Sequence, residues 1–95
     1  MRNRIKRRDD NHAQIVAELR TAGFSVVDLS QVGGGVCDIL VGAYGKNWLF
    51  EIKNTASSHG VSDSQIDFMQ KWQGQSAVIV TSDDAILYLN TNNRL

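Results

Sequence analysis

The chain has 95 residues, 42% of them hydrophobic, and its ten Lys and Arg balance ten Asp and Glu. That length holds one domain with a thin core, burying only about 60–65% of the surface its unfolded form exposes, and zero net charge argues against a general polyanion binder. No run reaches the ~18–20 apolar residues of a membrane span, so no membrane partner is expected. The charged start lacks an apolar export segment, and a lone cysteine, Cys37, suits a reducing cytoplasm.

Charge is unevenly placed. Residues 1–8 carry Arg2, Arg4, Lys6, Arg7 and Arg8 and no acid, whereas residues 9–95 carry five bases and all ten acids. A basic flexible tail over 1–8 therefore precedes a single domain over 9–95. The tail is either a phosphate-contacting arm or a solvated terminus.

Asp9 and Asp10 are N-cap choices for a helix ending near Ala22-Gly23, with Gly23 as its C-cap residue. Ile15, Leu19 and Ala22 form its apolar stripe with Val16 beside it, and Asn11 and His12 fall one turn earlier on nearly the same side. F-S-V-V-D-L reads as the first strand. S-Q-V-G-G-G follows as a connector whose glycines allow close approach of a ligand. It is not a phosphate-binding loop of the G-K-[ST] kind. C-D-I-L-V is the second strand, A-Y-G-K-N a turn and W-L-F-E-I-K the third strand.

N-T-A-S-S-H-G is a loop, and its His59 is better read as solvated than as catalytic. Ser62 and Gln65 fit a capping box for a helix over about 63–73, whose stripe is Gln65, Phe68, Met69 and Trp72. S-A-V-I-V-T is a short apolar strand. Ser82-Asp83-Asp84 then caps A-I-L-Y-L as a helix, or that run is an edge strand. The order is α-β-β-β-α-β with an undecided last element. Trp48 and Trp72 are expected in the core rather than stacked on bases, and Cys37 as a small buried apolar residue.

The chemistry concentrates in the second and third strands. Charged groups inside apolar runs are costly to bury without partners. Glu51 and Lys53 share one strand face, roughly 7 Å apart, and a hairpin brings Asp38 beside Glu51. Two carboxylates can hold a divalent cation, and an adjacent ammonium can position a water, which are the parts for metal-assisted phosphodiester hydrolysis. The competing readings are an Asp38 that caps the glycine loop, and an ion pair of Lys53 with either carboxylate.

This D-x(12)-E-x-K pattern at Asp38, Glu51 and Lys53 resembles the PD-(D/E)XK nuclease superfamily, in its VRR-NUC and Holliday-junction-resolvase-like branch. A polar helix before it, G-G-G ahead of the Asp strand and S-D-S-Q-I-D-F-M-Q-K-W after E-x-K extend the resemblance over most of residues 9–85. Cys37 stands where the family usually has Pro. The resemblance implies a restriction-endonuclease-like αβββαβ core with a mixed central sheet flanked by helices. It implies a DNA endonuclease binding Mg²⁺, with Mn²⁺ as substitute, through Asp38, Glu51 and the backbone carbonyl of Ile52. Lys53 and Gln65 complete the catalytic set, and Asp9 or His12 is the contribution from the first helix. Gln65 also has a plain capping role open to it.

Branched, flapped or four-way-junction DNA is the implied substrate, and a phage or mobile-element setting fits. The alternatives are a nicking nuclease without junction preference, a binding module of the same fold that does not cut, and a small interaction protein. A core this small gains from pairing, and two-fold symmetry is the commonest solution. A homodimer is therefore expected, using Tyr44, Ile86, Tyr88 and Leu89.

Overall fold

A computed structural model describes residues 11–53 and 63–93. The basic residues Arg2, Arg4, Lys6, Arg7 and Arg8, the proposed caps Asp9, Asp10 and Ser62, and His59 lie outside the described residues. The elements run α1 (His12–Thr21), β1 (Ser25–Asp28), β2 (Ile39–Ala43), β3 (Lys46–Ile52), α2 (Asp63–Lys71), β4 (Gln75–Ile79) and α3 (Ser82–Thr91). The result is a small α/β domain with a four-stranded mixed sheet in the order β1-β2-β3-β4. The first two pairings are antiparallel, and β3 pairs parallel with β4.

One face of the sheet is closed by two helices. Ile39, Val41, Trp48, Phe50, Ile52 and Ile79 meet Ile15, Val16 and Leu19 of α1 and Ala85 and Leu89 of α3. Alternation along β3 sends Trp48, Phe50 and Ile52 to this side. Leu49 and Glu51 go to the other. Ser82 Oγ donates to Glu18 Oε1 at 2.6 Å, fastening α3 to α1. Helix α1 ends as expected at Ala22-Gly23: the Gly23 N–H bonds the Arg20 carbonyl and the Phe24 N–H the Leu19 carbonyl, a Schellman pair. Ala22 itself is exposed and leaves the expected stripe.

The undecided element A-I-L-Y-L is helical. Thr81, one residue ahead of the expected caps, accepts from the Asp84 N–H, and Asp84 Oδ2 accepts from the Thr81 N–H, each at 3.0 Å. This capping box, with Ala85 and Leu89 one turn apart facing the core, selects helix over strand. The hairpin turn is tighter than A-Y-G-K-N. Only Tyr44 and Gly45 lie outside the ladder, both with positive φ, 56° and 77°. That is the backbone of a two-residue hairpin turn whose twist matches the strands.

Helix α2 covers the second sheet face lightly, and none of its residues is fully buried. Its N-terminal end is seated by Gly35, where a Cβ would stand 2.5 Å from the Ser64 carbonyl oxygen. Trp48 is fully buried as expected. Trp72 is not: 46% of it is exposed, because it sits past the end of this lightly packed helix. Among the described residues no helix is long and apolar enough to cross a membrane.

Three of the four groups expected at a dimer interface are committed elsewhere. Leu89 is in the core, and Ile86 and Tyr88 pack against it. Tyr44 is exposed, with its hydroxyl donating to Asn90 Oδ1 at 2.7 Å.

Candidate functional site

Asp38 directly precedes β2, opposite Glu51 in the continued register, since Ile39 pairs with Phe50. Its N–H bonds the Phe50 carbonyl at 3.0 Å. Its carboxylate Oδ2 accepts the Ile52 N–H at 2.8 Å. A side chain thus takes the place of a backbone acceptor where the β2–β3 ladder stops. Asp38 neither caps the glycine loop in these contacts nor forms the ion pair; Lys53 pairs with Glu51.

Glu51 is 1% exposed. Its Oε2 accepts from Lys53 Nζ at 3.3 Å and from Gln65 Nε2 at 2.5 Å. Its Oε1 is buried and has no hydrogen-bond partner. Burial, then the negative charge of Asp38, pushes the Glu51 carboxyl up to about 7, against the opposing pull of the Lys53 ammonium. The Cys37 thiol is pushed up to about 12 by burial and by the same two carboxylates. It is therefore an inert filler beside the pair, as expected of a small buried apolar residue.

Gln65 reaches the site from the first turn of α2, and its amide orients Glu51. The structure thus brings Asp38, Glu51, Lys53 and Gln65 together. The Ile52 N–H faces Asp38, and in a strand the carbonyl of the same residue projects to that side too. Among the described residues no group of three or more His, Cys, Asp or Glu side chains surrounds one point. The oxygen donors here are two carboxylates and a main-chain carbonyl. Hard oxygens suit Mg²⁺ or Mn²⁺ over zinc, and the unpartnered Glu51 Oε1 leaves a lone pair for such an ion.

His12 does not join this site. It is 2% exposed, and its Nε2 lies 3.2 Å from Asp28 Oδ2 across the α1–β1 contact. Burial tends to raise the Asp28 carboxyl, but hydrogen bonds from Ser30 and the nearby His12 bring it down to about 2. The dyad lines a separate shallow cleft of about 230 Å³ with Arg20.

The residue that reaches this end of the sheet from the start of α1 is its N-cap, Asn11. Its Nδ2 donates to the Lys53 carbonyl at 3.2 Å and to the Val80 carbonyl at 2.6 Å, strapping the ends of β3 and β4. Its inward position was visible in the helical period. Its role was not, because an amide without charge carries no motif.

No family model matches the chain, and no curated protein shows significant similarity to it.

Proposed function

We propose that the protein is a Mg²⁺-dependent DNA endonuclease with a restriction-endonuclease-like core. The observation that carries this reading is the buried Glu51 beside the half-buried Asp38, with one Glu51 oxygen unpartnered. Two neighbouring carboxylates, one of them buried, repel each other, and a divalent cation relieves that repulsion. Binding of nucleic acid alone gives no reason for such a pair. The order α-β-β-β-α-β, with β3 central and D…E-x-K at its end, supports the reading.

Asp38, Glu51 and the Ile52 carbonyl would hold the ion, which when bound would supply polarisation of a phosphodiester and a lowered pKa for a water. Gln65 and Lys53 fix the Glu51 carboxylate from one side. Lys53, 12% exposed, orients the attacking water or offsets charge at the phosphate. Cys37 contributes no nucleophile. DNA is the partner, with branched or flapped forms as the preferred class, and a two-fold dimer supplies the second site that paired incisions need.

Incubation of labelled duplex, flap and four-way-junction DNA with Mg²⁺ or EDTA tests the activity. Metal-dependent cleavage supports it, and binding without cleavage in Mg²⁺ or Mn²⁺ replaces it with a non-cutting module. Sedimentation equilibrium tests the dimer: a mass of 10.5 kDa is the monomer and refutes it.

A further inference from the structure

Trp72 directly follows α2, and its N–H still bonds the Phe68 carbonyl at 2.9 Å, so it continues the helical turn. Its indole stacks on the Phe68 ring, with centroids 5.4 Å apart and planes 15° from parallel. It also lies against Gly74, where a Cβ would stand 2.8 Å from the indole Nε1. The ring is therefore fixed by a neighbour ring and by the space a glycine leaves, yet 46% of the residue is exposed. A large aromatic is thus held in one orientation with nearly half of it open to solvent.

Its place relative to Glu51 is defined. Gln65, which grips Glu51, and Trp72 are seven residues apart, two helical turns, and so share one face of the helix. At ~1.5 Å per residue the separation is about 10 Å. The strands agree: Gln75, near Trp72, pairs with Trp48, three residues along β3 from Glu51. At ~3.4 Å per stacked nucleotide, this is the span of about three nucleotides.

We propose that Trp72, backed by Phe68, is a stacking platform for an unpaired base about three nucleotides from the scissile phosphate at the Asp38–Glu51 site. The inference rests on the nuclease reading for the position of that phosphate, and it names the substrate class: DNA with single-stranded nucleotides beside the cut. A base inside an intact duplex already has both faces stacked and gains nothing from the ring. An unpaired base offers a free face and tolerates any sequence.

The test is binding in EDTA, so that it reads independently of cleavage. Labelled single-stranded, overhang-bearing and blunt duplex oligonucleotides are titrated with the intact protein and with its Trp72→Ala and Trp72→Phe variants. Intrinsic emission is followed alongside, since Trp48 is fully buried and Trp72 is the exposed tryptophan. Trp72→Ala should weaken binding to single-stranded and overhang DNA by roughly 5- to 150-fold, the range for loss of one base–aromatic stack. Binding to blunt duplex should change far less, Trp72→Phe should keep part of the affinity, and single strands should quench wild-type emission. Equal losses on all three DNAs, no loss on any, or no DNA binding by the wild type would overturn the proposal. So would emission that shifts with protein concentration but not with DNA, which assigns Trp72 to a contact between copies. If discrimination holds but no DNA is cut in Mg²⁺ or Mn²⁺, the platform stands and the nuclease reading fails.

Discussion

The Asp38 carboxylate receives the Ile52 N–H at 2.8 Å, so a side chain that faces Glu51 also completes the strand ladder. Position and chemistry of the site are thereby joined in one residue. Asp38→Ala removes both: the Ile52 N–H loses its acceptor, which destabilises by about 1–3 kcal/mol. Asp38→Asn keeps an oxygen acceptor and should retain most of the stability. Both variants should lose cleavage by at least ~10²-fold. Urea denaturation beside a cleavage assay separates the two effects, and full activity in Asp38→Asn would remove Asp38 from the metal set.

Glu51 should give the stability curve an unusual slope. Its folded-state carboxyl titrates at about 7 against an ordinary 4.5. Between those values the folded chain keeps a proton that the unfolded chain has released. Stability should therefore fall as pH rises through that window and stay lower above it. Glu51→Gln should flatten the slope, raise the melting temperature at pH 8 and lower cleavage by at least ~10²-fold. Thermal melts at pH 5 and pH 8 check this. A Glu51→Gln slope equal to the wild type's would contradict it.

Mg²⁺ should act where the proton does not. At pH 8 the ion relieves the repulsion between Asp38 and Glu51 and raises the melting temperature, by mass action on the folded state. At pH 5 protons compete and the rise should shrink, while EDTA reverses it at either pH. Mn²⁺ should behave alike. A melting temperature indifferent to both ions at pH 8 sinks the metal reading without any need for a substrate.

Asn11→Ala deletes two hydrogen bonds to main-chain carbonyls at the ends of β3 and β4. The expected loss is about 1–3 kcal/mol, larger than for an exposed helix residue. His12→Gln should also destabilise, because the imidazole is buried against Asp28, but the Mg²⁺-dependent melting shift should survive it. Loss of that shift in His12→Gln would return His12 to the site.

Deletion of residues 1–8 removes Arg2, Arg4, Lys6, Arg7 and Arg8. If these touch phosphates, the dependence of log K on log salt should lose up to about 0.9 in slope per lost contact. An unchanged slope makes the segment a passive terminus.

Much of the arrangement was legible because its signals are strong ones. Period-two alternation placed Glu51 and Lys53 on one face, and a hairpin between the two runs brought Asp38 beside Glu51; the two-residue turn that sets the register, tighter than A-Y-G-K-N, was not legible. The burial of Trp48 and Cys37 followed from apolar neighbours. The misreadings have a common origin in tertiary context. A helical stripe reports which residues share a face, but not whether anything covers that face. Trp72 and Ala22 were therefore assigned to a core they do not enter, and Leu89 to a surface it does not occupy. His12 and Asn11 both point inward, yet only the crossing of α1 over the sheet decides that one meets Asp28 and the other the ends of β3 and β4.

The uneven covering of the sheet divides the molecule into two regions of different durability. The side closed by α1 and α3 holds the core, and its amides should exchange with solvent only in global unfolding. Helix α2 has no fully buried residue, so it should open locally long before the core does. Each such opening lifts Gln65 from Glu51 and exposes the carboxylate pair while β2 and β3 remain intact. Access to the buried site is then set by the small free energy of one helix, and not by the stability of the fold.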